Sequence, residues 1–232
     1  MDIGNAFAAA FGLIASLDRE FLAIVALSLR VTLTAVFLAA LIGLPLGAML
    51  ALSRFPGRTI VIVLINALMG LPPVVAGLLI FLLLSRTGPL GSLGLLFSPS
   101  AMIVAQTILV LPIVVALSRQ VIEDLWREYA EHMTSLDLTG WRAVPTLLWD
   151  GRFALATALL AGFGRASAEV GAVLIVGGNI AGYTRTMTTS IALETSKGDL
   201  PLALGLGIVL LTLTIAINAL AFGMSRIGAR YA

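Results

Sequence analysis

Arg119-Gln-Val-Ile-Glu-Asp-Leu-Trp-Arg-Glu-Tyr-Ala-Glu-His-Met-Thr-Ser-Leu-Asp-Leu-Thr-Gly-Trp141 is a polar insert in an apolar chain. Ten charged residues fall between positions 119 and 152, whereas residues 100–118 just before them carry none. Within the insert Leu125, Tyr129, Met133 and Leu136 are spaced by four, four and three, with Trp126 and Ala130 alongside. That spacing predicts a helix with one apolar and one charged face. Such a helix must cover an apolar surface, either the membrane interface or a groove on another protein. Leu138-Thr-Gly-Trp141 then breaks the helix and turns the chain back before Pro145.

The rest of the chain sets the context. Of 232 residues 59% are hydrophobic and 11% charged, with a mean hydropathy of +1.08. Soluble domains carry about 25% charged residues. The composition therefore predicts an all-α integral membrane protein. Apolar windows fall at residues 31–52, 59–84, 100–118, 153–176 and 201–224, giving about five transmembrane helices. The first covers 22 uncharged residues, about 33 Å of helix against a hydrocarbon core of about 30 Å. No length remains for a soluble domain, so residues 1–232 are expected to form a single transmembrane domain with its insert at about 119–152.

Several function classes lose support. Without cysteine there is neither a disulfide nor a thiolate metal site, and the single histidine, His132, makes no cluster. On a charged helix it reads as a solvated or interface residue. Net charge is +2 and the arginines are dispersed, so nucleic acid is not an expected partner. Asp2 is the only charge before Asp18; lacking the basic start of a signal peptide, the N-terminus is expected to be retained. Ile3, Phe7, Phe11 and Ile14 recur at helical spacing, as in an amphipathic interfacial helix.

Five spans put the two ends on opposite sides. With the N-terminus outside, the inner side collects Arg54, Arg58, Arg119, Arg127, Arg142, Arg152, Arg226 and Arg230. The outer side keeps Arg19, Arg86, Arg185 and Lys197, and Arg30 snorkels outward. The excess of inner arginines predicts N-out and C-in, with the insert cytoplasmic. Helix breakers punctuate the spans: Gly43 and Pro45, then Pro72 and Pro73, then Pro112. Each is either a packed kink or a gate, and Pro72-Pro73 is the best hinge candidate.

The run Glu131-His-Met-Thr-Ser-Leu-Asp-Leu-Thr-Gly-Trp141 resembles the coupling-helix signature of ABC importer permeases. That signature has a glutamate and two alanines, a leucine-glycine pair, then an aromatic before the next span. Glu131, Leu136 and Trp141 match it, with Tyr129 and Met133 on the same helix. His132-Met133 replace the alanines and Asp137 stands at the glycine position; a second register begins at Glu128-Tyr129-Ala130. Met69-Gly-Leu-Pro-Pro-Val-Val-Ala-Gly77, Gly164-Arg-Ala-Ser-Ala-Glu-Val-Gly-Ala172 and Gly177-Gly-Asn-Ile-Ala-Gly-Tyr-Thr-Arg-Thr186 resemble the oxyanion permeases for molybdate, tungstate and sulfate. Glutamate-valine-glycine with Gly-Gly-Asn-Ile is most similar to tungstate permeases.

The resemblance implies a homodimeric pore in the prokaryotic inner membrane, two cytoplasmic ABC ATPase subunits that dock on a coupling helix, and an extracytoplasmic oxyanion-binding protein. ATP and Mg would belong to the ATPase and no cofactor to this chain, which has no Gly-x-x-x-x-Gly-Lys-Ser/Thr loop. The chain would then be a translocation subunit and not an enzyme.

Arg165 and Glu169 lie four apart on one helical face, inside an expected span. An ionisable pair there is either a self-neutralising bridge or a translocation site, with Arg165 attracting a divalent anion and Glu169 limiting its retention. The outer loop with Gly177, Gly178, Asn179 and Arg185 reads as a plain turn, a backbone nest for an oxyanion, or a docking surface for the capture protein. Trp126, Trp141 and Trp149 read as interfacial anchors or docking residues, Trp149 as an anchor. The competing classes are an ion-coupled secondary transporter or channel, for which no internal repeat is visible, and a non-transporting scaffold.

Overall fold

The computed structural model describes residues 18–231 together with Ala8, Phe11, Gly12, Ala15 and Ser16, with side chains of the last helix as far as Leu220. The expected amphipathic stretch through Ile3, Phe7 and Ile14 lies largely outside the described residues. From Arg19 onward the chain forms α1 (Arg19–Leu52), α2 (Arg58–Met69), α3 (Pro73–Leu84), α4 (Pro99–Ser135), α5 (Val144–Asp150), α6 (Arg152–Ser167), α7 (Gly171–Gly177), α8 (Met187–Lys197) and α9 (Leu200–Tyr231). Short 3-10 turns cover Gly91–Leu93 and Gly140–Ala143. Among the described residues there is no strand, as expected for an all-α membrane protein.

Helices α1, α4 and α9 are each long and apolar enough to cross a bilayer, and the pairs α2–α3 and α6–α7 qualify as bent spans, giving three to five. The five apolar windows thus correspond to five apolar elements, two of them broken. Gly70 ends α2, Pro72 is extended, and Pro73 starts α3 at its first position. Consecutive prolines force this: a residue before proline is driven out of the helical region, and proline itself suits a helix start. Pro45 and Pro112, by contrast, sit inside continuous helices.

The residues group into two compact units. Among the described residues, the first holds those up to Ala35, Pro72–Gln106 and Gly164–Asn218. In it α3 packs on α7 at backbone distance, since a Cβ built on Gly77 would lie 2.7 Å from Ala172 Cα. Phe21, Ile24, Met187 and Leu206 form an apolar cluster in this unit. Nearby, the Ser28 hydroxyl accepts the Met187 N–H at 2.7 Å and donates to the Ile24 carbonyl at 2.8 Å, fixing the start of α8 on α1. A Thr186–Thr189 capping box closes the same helix end.

The second unit holds Val36–Leu71, Thr107–Phe163 and the end of α9 from Ala219. Here Gly43 and Gly47 admit α4 against α1. A Cβ at Gly47 would lie 1.8 Å from Ser118 Oγ, and one at Gly43 would lie 2.9 Å from Val114 Cγ1. This is the small-x-x-x-small packing of membrane helices, so Gly43 acts as a contact and not as a breaker. The Ser118 hydroxyl donates to the Gly43 carbonyl at 3.3 Å, across the same contact.

Candidate functional site

The insert begins as an uninterrupted continuation of α4, which runs to Ser135. Its end is a Schellman motif: Leu138 N–H donates to the Met133 carbonyl at 2.9 Å and Asp137 N–H to the Thr134 carbonyl at 3.1 Å. Asp137 occupies the left-handed position of this motif, with φ +57°. After the turn, α5 folds back and buries Val144 and Leu147 with Ala48, Ile122, Met133 and Ala143. Leu125 and Leu138 pack onto this cluster.

The expected single apolar face is therefore divided. Met133 and Leu125 point into the cluster, whereas Tyr129, Glu131 and Leu136 are exposed. Leu136 is 63% exposed and Trp141 74%. Burying apolar side chains of this size is worth roughly 1.5–3 kcal/mol each, so a partner that covered them would gain appreciable affinity. Trp149 is also exposed, with the Arg152 guanidinium 4.8 Å from its ring centre. Beside Tyr129, Glu128 raises the exposed phenol above its ordinary value through a hydrogen bond and its charge. Tyr129 is thus a neutral hydroxyl at physiological pH.

Pro72 and Pro73 lie at the α2–α3 break. Arg165 and Glu169 are brought together at the α6–α7 break, which contains no proline. Arg165 Nη1 donates to Glu169 Oε2 at 2.9 Å, and Glu169 Oε1 accepts the Ala172 N–H, also at 2.9 Å, at the start of α7. Thr188 Oγ1 donates to the Glu169 carbonyl at 2.7 Å. The Glu169 side chain is 2% exposed and that of Arg165 29%. Burying the carboxylate without such partners would cost several kcal/mol (about 2–7 even for a neutral polar group). The pair is unevenly covered: its anion is enclosed while its cation reaches the surface of the protomer.

The segment Gly177, Gly178, Asn179 to Arg185 forms a turn held by backbone and Thr184 hydrogen bonds, with Asn179 Oδ1 and Arg185 Nε buried without a hydrogen-bond partner. Gly178 and Asn179 take left-handed conformations. Thr184 Oγ1 donates to the Gly177 carbonyl at 2.6 Å and accepts the Ile180 N–H at 2.9 Å. The Tyr183, Thr184 and Arg185 N–H groups all point to the Ile180 carbonyl. These three amides are turned inward and are not offered to an anion. Arg185 lies 3.8 Å from Glu20 at a cavity of about 520 Å³ whose charged lining, Asp18, Arg19, Glu20 and Arg185, is balanced.

Two features went unmarked in the sequence. Glu123 receives both Arg58 and Arg119, the latter at 2.6 Å, while Arg58 Nε caps the Leu50 carbonyl at 3.0 Å. The Arg119–Glu123 spacing of four could have signalled this bridge. The hydroxyl-dense run Thr184-Arg-Thr-Met-Thr-Thr-Ser190 likewise stands out in an apolar chain, and Ser190 Oγ and Gln106 Oε1 are buried without a hydrogen-bond partner. Among the described residues no group of three or more His, Asp or Glu side chains could hold a metal ion.

No protein-family model matches the chain. It is 41% identical over 213 residues to a probable anion ABC transporter permease of Haloferax volcanii, covering 90% of this chain and 89% of that one. To the tungstate uptake system permease TupB of Peptoclostridium acidaminophilum it is 38% identical, across 96% and 97% of the two chains. To the sulfate transport system permease CysW of Synechocystis it is 31% identical, across 76% and 67%. With apolar helices, a polar insert and relatives matched along nearly the whole length, the chain belongs to the oxyanion group of ABC importer permeases, as a multi-pass membrane translocation component.

Proposed function

We propose that two copies of this chain form the pore of an ATP-driven tungstate importer, with two ATPase subunits docked on the insert and an extracytoplasmic protein delivering the anion. The observation that carries the reading is Leu136 and Trp141, exposed apolar side chains flanking a capped turn. A turn fixed by paired backbone bonds transmits force, and exposed apolar groups give a partner something to bury. Glu131 and Tyr129 flank this surface; Met133 holds the helix down from within. The ATPase would bind ATP and Mg, and this chain no cofactor. The arginine distribution supports N-out and C-in.

Tungstate is favoured over molybdate and sulfate by the likeness to a tungstate uptake permease over almost the full length and by the Gly177-Gly-Asn-Ile segment. The Arg165–Glu169 pair fits a path that must release a doubly charged cargo. Its partly exposed cation attracts the anion, and the buried carboxylate limits how tightly the site holds it. Selectivity then belongs to the capture protein.

The test is tungstate uptake into proteoliposomes containing permease, ATPase and capture protein, with molybdate and sulfate as competitors. Uptake that needs all three proteins and ATP, and that molybdate or sulfate fails to suppress at equal concentration, is the expected result. Uptake without ATP or ATPase would establish a channel or secondary carrier instead.

A further inference from the structure

Two concavities meet where α1 ends. One is an apolar groove of about 440 Å³ between α1, α2 and α4, with Leu46, Met49, Val61, Ile65, Leu111 and Pro112 in its walls. The other is a polar cavity of about 230 Å³ lined by Arg54, Arg58, Glu123, Trp126 and Arg127. Ser53 lines both, which places the arginines of the second cavity beside one end of the groove.

The charges around that end do not cancel. Three arginines line the cavity against one glutamate. Behind them Arg119 shares Glu123, and Arg127 pairs with Asp124 at 2.9 Å on a mostly exposed surface. Arg58 is engaged by Glu123 and by the Leu50 carbonyl. Arg54 is exposed and makes no ion pair among the described residues. The groove wall also lacks cover: α2 has no buried residue, and the wall residues Leu46, Met49, Val61 and Leu68 are all exposed.

Each half of this site excludes some ligands. Inorganic phosphate satisfies the arginines and leaves the groove empty, whereas an apolar helix fills the groove and leaves the arginines unmatched. An anionic phospholipid satisfies both, and basic side chains at a membrane surface attract such lipids. From the apolar groove ending beside Arg54 and Arg58, we infer that this face binds an anionic phospholipid, its acyl chain along α2 and its phosphate on the two arginines. In the proposed orientation the headgroup lies in the cytoplasmic leaflet, where anionic lipids give a negative surface potential.

The experiment is native mass spectrometry of the full-length permease in neutral detergent, titrated with phosphatidylglycerol, with phosphatidylcholine of identical chains, and with inorganic phosphate. Phosphatidylglycerol binds at least roughly fivefold tighter than phosphatidylcholine; Arg54→Gln cuts that preference by roughly fivefold, one arginine's contribution near a membrane surface. Val61→Trp fills the groove and weakens both lipids. Equal affinity for the two lipids, an unchanged preference in Arg54→Gln, or phosphate competing fully at equal concentration overturns the inference. So does a Val61→Trp variant that dissociates a dimer while binding lipid normally, since a second copy would then occupy the groove. Arg54 and Val61 are both partly or fully exposed, so both variants are expected to fold, which circular dichroism checks.

Discussion

Asp137 closes α4 with φ +57°, where the resembling signature places glycine. A non-glycine residue in that conformation costs of order 1 kcal/mol or more, aspartate less than most. Its bond to Arg142 is long and exposed, 3.4 Å with both side chains mostly in solvent, and such pairs contribute little. Asp137→Gly is accordingly expected to stabilise the permease by about 1 kcal/mol, raising the thermal midpoint by about 2–4 °C in detergent; a lower midpoint would show that the ion pair outweighs the strain. Glu169 responds differently because it serves two partners. Glu169→Gln keeps an acceptor for the Ala172 N–H and leaves Arg165 uncompensated, whereas Glu169→Ala loses both bonds. The expected losses are about 2 kcal/mol and about 3–4 kcal/mol, read as midpoints of thermal inactivation; equal losses would remove the backbone bond from the account.

Helix α3 meets α7 backbone to backbone at Gly77. Gly77→Ala must push the helices apart and is expected to cost about 1–3 kcal/mol, and Ala172→Gly should rescue little because the nearest atom is Ala172 Cα. Gly207→Ala, with open space around it in α9, serves as the control and should not lower the melting point. These elements also show what a sequence reveals. The α2–α3 break was legible because Pro72-Pro73 cannot continue a helix. The α6–α7 break was not: no proline marks it, and the Glu169 side chain that shapes it takes its meaning from a partner found only on folding. Gly43 was misread as a breaker for a related reason, since glycine weakens a lone helix yet permits close packing when α4 lies against it. The insert was visible as a polar helix, but the inward turn of Met133 and the outward turn of Leu136 depend on α5 folding back beneath it.

For the whole molecule, the length and apolar runs were enough to recognise an all-α membrane protein, and the short motifs were enough to recognise its family. The expectation of partner subunits rests on resemblance alone, because the surfaces a chain presents to other subunits leave no periodic signal in its own core. The central claim is that ATP hydrolysis elsewhere drives this chain through Leu136 and Trp141. Its most direct measurement is the ATPase rate of the reconstituted transporter with tungstate-loaded capture protein, comparing wild type with the Leu136→Ala, Trp141→Ala double variant at equal permease and ATPase content. If those two side chains supply roughly 3 kcal/mol of the docking contact, stimulation by the loaded capture protein falls by at least tenfold in the variant. Stimulation at the wild-type level in the variant would contradict the account and move the coupling surface elsewhere on the chain.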